Sequence, residues 1–179
     1  MIYAVEAKNF TIANCGTANV WAFGGDYRFV HGTVANYWDD SQHKDNIAMK
    51  LVNYVVDGNT NENFYVPFHL EATNCIFYGV QDDEFLTQFG AEADSSFVFD
   101  HCLFKSKKFN GSTAGFSHCL FNYDPYFANY HTNDLHIDSI ASPVIGMGNP
   151  MTGSELPYDL DGVLRNGRID IGAYQYVPR

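Results

Sequence analysis

Short apolar segments with a fixed polar interruption recur along this chain, and none of them keeps a helical period. The clearest is Phe97-Val-Phe-Asp-His-Cys-Leu-Phe104, which returns as Gly115-Phe-Ser-His-Cys-Leu-Phe121. Related segments are Ile12-Ala-Asn-Cys-Gly-Thr17, Phe29-Val-His-Gly-Thr-Val34 and Ala72-Thr-Asn-Cys-Ile-Phe77, with a weaker copy at Leu51-Val-Asn-Tyr-Val-Val56. Aligned, the centre column reads Cys15, Gly32, Tyr54, Cys75, Cys102 and Cys119, and the column before it Asn14, His31, Asn53, Asn74, His101 and His118. Successive copies are 17, 22, 21, 27 and 17 residues apart. A repeat of this length predicts a stacked architecture.

The apolar columns lie three positions before the centre and two after it. On one straight strand those positions face opposite ways, because side chains alternate with period 2. They share a core only if the chain turns between them. Asn and His are among the few non-glycine residues that enter the left-handed region such a turn needs. Each copy is therefore predicted as strand, Asn or His corner, strand. Stacking at roughly 4.8 Å per copy buries a continuous core. The expected fold is all-β, a parallel single-stranded β-solenoid with an irregular C-terminal cap. Leucine-rich repeats, the main competitor at this period, need regular Leu columns that the chain lacks.

The polar stretches 38–46, 57–63 and 80–96 are predicted as loops leaving the wall. After residue 122 the pattern stops while Pro143, Pro150 and Pro157 accumulate. The expectation is one domain, with coils over 1–122 and a C-terminal coil and cap over 123–179. The cap would close the open end, burying Ile137, Ile145 and Ile171 against the Cys119 coil, with Asp170-Ile-Gly-Ala-Tyr174 as the final strand. Ile2-Tyr-Ala-Val5 already reads as strand, so coils upstream of residue 1 are expected.

Composition narrows the partners. The 179 residues are 46% hydrophobic and 16% aromatic, enough for one sizeable core, and carry a net charge of −11. That charge disfavours nucleic acid, anionic membranes and strongly anionic polysaccharides unless cations bridge them. No apolar run approaches the ~20 residues of a membrane span, and no export signal opens the chain. The four cysteines share one repeat column, which favours a stacked ladder of free thiols over disulfides or a zinc site.

The order of the tail motifs is the more specific signal: Asn122-Tyr-Asp-Pro-Tyr-Phe127, Asp134-Leu-His-Ile137, Ala141-Ser-Pro143, Asp159-Leu-Asp-Gly162 and Asp170-Ile-Gly-Ala-Tyr174. With the Asn-Cys-Ile-Phe and His-Cys-Leu-Phe segments and Val34-Ala-Asn-Tyr-Trp38, it resembles the C-terminal part of pectate-lyase-like proteins, most of all the secreted or surface-anchored set from Bacteroidota, and so implies that the solenoid is a right-handed parallel β-helix. The resemblance implies export to a bacterial surface. It implies no activity, because the group holds lyases, hydrolases and non-catalytic binders.

Insertions on repeat proteins tend to form the binding face. Tyr37, Trp38, Asp39, Asp40 and His43 form a candidate sugar platform, an aromatic face beside hydroxyl acceptors; the plainer reading is a Trp packed under a solvated loop. Asp82, Asp83 and Glu84 are candidate calcium ligands, or else an acidic solvated loop. Asp159-Leu-Asp161-Gly162 echoes an EF-hand start but lacks the other ligands and is read as a turn. Basic residues suited to a lyase base do not share a wall with an acidic cluster, and no segment shows paired catalytic carboxylates. The leading expectation is thus a non-catalytic glycan-recognition or structural module. A fragment of a polysaccharide lyase or hydrolase is the alternative, and a scaffold for protein partners at an outer-membrane assembly is a third.

Overall fold

The structure, a computed structural model, describes residues 4–38, 46–109 and 114–178. It is all-β with mostly parallel strands. The largest unit is an eight-stranded sheet in which Gly25–Asn36 is central. Ala4–Ala13 pairs with it in parallel along nearly its whole length, on both sides of His31. On the other edge its first half pairs in parallel with Phe68–Thr73, which continues to Ser95–Asp100 and Phe116–Ser117. Its second half pairs with Ile76–Gly79, which continues to Leu103–Phe104 and Leu120–Phe121. A separate three-stranded parallel sheet comprises Ala18–Phe23, Ile47–Val52 and Phe85–Gln88.

The large sheet curls because of the corner column. His31, Asn74, His101 and His118 have φ of 54°, 55°, 51° and 51°. The strands on either side of them belong to one curved surface. Phe29, Ala72 and Phe99 lie before the corner and Val34, Phe77 and Phe104 after it, and all six fall in one buried cluster. The bend thus puts both apolar columns into a single core, against Ala22, Leu51 and Phe85 of the smaller sheet. In-register pairing stacks the rings: Phe77 on Phe104 at 5.1 Å, Phe104 on Phe121 at 5.6 Å, Phe99 on Phe116 at 5.4 Å. Each buried Phe contributes about 1.5–3 kcal/mol of transfer free energy.

Two of the predicted copies sit elsewhere. In the first strand Ala7 pairs with Phe29 and Ile12 with Val34, five residues out of the expected register. The residue opposite His31, between the pairs Lys8↔Val30 and Phe10↔Gly32, is therefore Asn9, with φ 48°. Phe10 fills the centre column there, and a Cβ on Gly32 would stand 2.3 Å from its ring. Asn14 makes a different corner, with φ 52°. Leu51 pairs with Ala22 and Thr87 in the smaller sheet, so Asn53 is no member of the ladder and does not adopt positive φ. It instead holds the 90–95 loop through Gly90 N–H (2.8 Å to Oδ1) and Ser95 Oγ (2.8 Å from Nδ2). The Leu51 copy matched because any core strand followed by a polar turn carries the same short pattern.

All four cysteines are free. Cys75 and Cys102 stack in the centre column, with Cys75 N–H donating to Cys102 Sγ at 3.4 Å. Cys119 follows half-buried, but Cys15 is exposed and outside the column.

The tail differs from the expected end cap. Ile137, Val144 and Ile171 are buried against Ile76 and Leu103, the outward-pointing residues between the core positions, so the tail runs along the side of the sheet. Ile145 is partly buried there. Residues 170–174 form no strand. Phe127–Asn129 pairs antiparallel with Asp134–Ile137; scattered backbone–backbone bonds hold much of the rest, and two buried carboxylates take up further amides. Asp159 Oδ1 accepts Asp161 and Val163 N–H (2.9 and 2.7 Å), while its Oδ2 accepts Gln175 N–H (2.7 Å). Asp170 accepts Gly146 and Tyr176 N–H, both at 2.7 Å. That is the physical work of the DLDG and DIGAY motifs, since buried amides outside a sheet must find acceptors. No helix among the described residues is long and apolar enough to cross a membrane.

Candidate functional site

A cavity of about 420 Å³ lies where the end of the strand Gly25–Asn36 meets the tail. Tyr37, Tyr78, Tyr126, Tyr130 and Phe127 line it, with Lys105 and Asp124. Its construction is traceable residue by residue. Asn14, left-handed at its own corner, accepts the Tyr37 N–H on Oδ1 (2.7 Å) and donates from Nδ2 to Asn133 Oδ1 (2.8 Å). Asn133 closes the short turn Tyr130–Thr132. One side chain therefore fixes both partners of a ring stack, Tyr37 on Tyr130 at 4.2 Å and 18°. Phe127 meets Tyr37 edge-on at 6.1 Å.

The charged groups are held as firmly. Lys105 Nζ donates to Gly79 O (3.1 Å) and lies 5.3 Å above the Tyr78 ring. Asp124 Oδ1 accepts Tyr126 N–H at 2.7 Å, making the tight turn that presents the exposed Tyr126 ring. Burial pushes the Tyr37 and Tyr78 hydroxyls above the usual phenol range, and the Asp124 charge adds to this. Both hydroxyls remain neutral donors at any physiological pH.

Beneath the cavity lies Glu84, fully buried. Its Oε1 accepts Gln81 N–H (2.8 Å), and Oε2 accepts Ala48 N–H (2.7 Å) and Asn36 Nδ2 (3.1 Å). Burial pushes its carboxyl up to about 7, against those donors and the nearby Lys105 charge. A Cβ at Gly79 would stand 2.2 Å from Glu84 Oε1, so the carboxylate needs glycine there.

The acidic trio is thereby dispersed. Glu84 points inward, Asp82 pairs with Lys107 at 2.6 Å, and Asp83 accepts Ser106 Oγ (2.6 Å) and Lys108 N–H (2.9 Å). Three carboxylates with three separate sets of partners do not converge on a calcium ion. Of the sugar platform, Tyr37 lines the cavity and Trp38 is half-buried beside it. Asp39, Asp40 and His43 lie outside the described residues. The sequence reading missed Tyr78, Lys105, Asp124 and Tyr130, which come from separate segments. It also missed Trp21, 55% exposed on the smaller sheet with Lys50 Nζ 4.6 Å from its ring.

The outer face of the large sheet carries the charge network that sequence spacing did not reveal. Arg28 binds Glu155 through both terminal nitrogens (2.8 and 2.7 Å) and Glu6 (2.5 Å), while Lys8 bridges Glu6 (3.0 Å) and Glu155 (2.8 Å). Both cations are held charged by these carboxylates. No family model matches the chain, and no curated protein or solved structure matches it either.

Proposed function

We propose that this chain is a non-catalytic glycan-recognition module, built as a right-handed parallel β-helix of the pectate-lyase-like kind and displayed outside a bacterial cell. The cavity between Tyr37, Tyr126 and Tyr130 carries the reading. Sugar rings present apolar C–H faces and a rim of hydroxyls, which suits aromatic faces flanked by an ammonium donor and a carboxylate acceptor. The cavity's one Lys and one Asp balance, so the ligand class is a neutral oligosaccharide, in keeping with a net charge of −11. The parallel registers and left-handed corners support the β-helix reading.

A polysaccharide lyase is the second reading, favoured by the placement of Arg28 and Lys8 among carboxylates on one sheet face. Those same carboxylates oppose it, since a base must surrender a proton that Glu6 and Glu155 retain. The test is a panel of plant and host polysaccharides, assayed with the intact protein for both binding and cleavage. We expect retention of a neutral glycan without new chain ends, and at least tenfold weaker binding by Tyr126→Ala. Cleavage would overturn the non-catalytic reading, and undiminished binding by Tyr126→Ala would remove the cavity from it.

A further inference from the structure

The corner column has a consequence at its far end that its structural role does not require. Parallel, in-register strands place equivalent side chains about 4.8 Å apart, so two histidines in adjacent corners come within reach of one ion. His101 and His118 do so, their rings stacked at 4.6 Å. Asp100 precedes the first of them. Its Oδ1 lies 2.9 Å from His101 Nδ1 and 3.1 Å from His118 Nδ1, and the three ligand atoms all lie within 4.8 Å of one another. Ligands held at about 2.0–2.2 Å from one cation stand roughly 2.8–3.1 Å apart when they are neighbours in an octahedron, so the separations of 2.9 and 3.1 Å match its edges.

Two further features distinguish the cluster from ordinary surface ion pairs. His101 Nδ1 is shielded from solvent yet makes no aligned hydrogen bond, despite its closeness to the carboxylate. Asp100 is also oriented from behind: Asn149 Nδ2 donates to its Oδ2 at 2.7 Å, leaving Oδ1 to the imidazoles. Asn149 is itself pinned, its N–H donating to Asn74 Oδ1 at 2.7 Å and its carbonyl accepting Thr152 Oγ1 at 2.8 Å. Outer partners of this kind set ligand direction in metal sites. The tail thus treats the column unequally. It seals His31 with Thr152 Oγ1 (2.9 Å) and Gly172 O (3.2 Å), but leaves the His101–His118 side open, with the His118 side chain 68% exposed.

We propose that Asp100, His101 and His118 form a binding site for a divalent transition-metal ion, through one carboxylate oxygen and two imidazole Nδ1 atoms, with the remaining positions open to water or an exogenous ligand. Two nitrogen donors select zinc, copper or nickel over calcium and magnesium. The site is separate from the tyrosine cavity and stands or falls independently of it.

The test uses the intact, tag-free chain titrated with zinc chloride by calorimetry, and wild-type spectra recorded with substoichiometric nickel. His118→Asn removes the imidazole but keeps a residue that accepts the left-handed corner; Asp100→Asn is the second variant and Cys119→Ser the control for thiol ligation. We expect one zinc ion per chain, a melting temperature that rises with zinc and not with calcium, at least tenfold weaker binding in both variants, and unchanged binding in Cys119→Ser. Nickel should broaden the ring resonances of His101 and His118 and spare His31 and His69. Wild-type binding no tighter than that of His118→Asn, binding lost in Cys119→Ser, or broadening at other histidines would overturn the proposal.

Discussion

Two histidines in chemically opposite settings give this protein a readable pH signature. His31 is buried, and burial, with help from the Arg165 charge, pulls it down to about 3. It is neutral in the fold, with Nδ1 against Gly172 O and Nε2 facing Thr152 and Asn74. The unfolded chain takes up that proton below about pH 6.5, so stability is lost as pH falls from there towards 3. His136 behaves oppositely. Burial lowers it, but Asp134 at 2.5 Å and Asp161 at 2.7 Å outweigh this and raise it above the usual value of 6.5. Its contribution is complete below the unfolded value and disappears as pH rises through the raised folded one. Both partners are partly exposed, so this limb is worth less than about 1 kcal/mol. Thermal denaturation across pH should show His136→Gln flattening the alkaline limb alone and His31→Asn the acid limb alone. Equal profiles for the two variants would contradict these assignments.

At the scale of the element, the corner column decides the shape of the sheet. His101→Val should destabilise the chelated, metal-free protein by about 1–3 kcal/mol, because a β-branched residue resists positive φ. His101→Asn should cost much less, since Asn enters that region readily. Chemical denaturation that ranked the two alike would mean the backbone, not the residue type, sets the bend. This element is also where sequence reading worked best. The columns Phe29, Ala72, Phe99 and Val34, Phe77, Phe104 were legible because a periodic core leaves a periodic sequence. Asn14 and Asn53 were misassigned for the same reason that made the pattern visible: polar corners occur at every turn of the wall, and six-residue windows do not say which turn. Asn9 was hidden because Phe10 replaces the cysteine beside it.

At the scale of the molecule, the tail buttresses the side of the curled sheet and completes the cavity. Ile171, fully buried against Ile76 and Leu103, tests that placement: Ile171→Ala should cost about 2–5 kcal/mol in thermal or denaturant unfolding. A change under about 0.5 kcal/mol would detach the tail from the fold. The apolar tail residues were recognisable in the sequence as cap material, but their target was not. Ile76 and Leu103 look like ordinary strand residues until the corner turns them outward. The cavity was equally opaque, because Tyr37, Tyr78, Lys105, Asp124 and Tyr130 converge only after distant segments pack. Glycan recognition at that cavity is the central claim, and aromatic proton chemical shifts during titration with the best-retained neutral oligosaccharide test it most directly. The account predicts saturable shifts at the Tyr37, Tyr126 and Tyr130 rings with Trp21 unmoved. Shifts confined to Trp21, or none at the tyrosines at saturation, would contradict it.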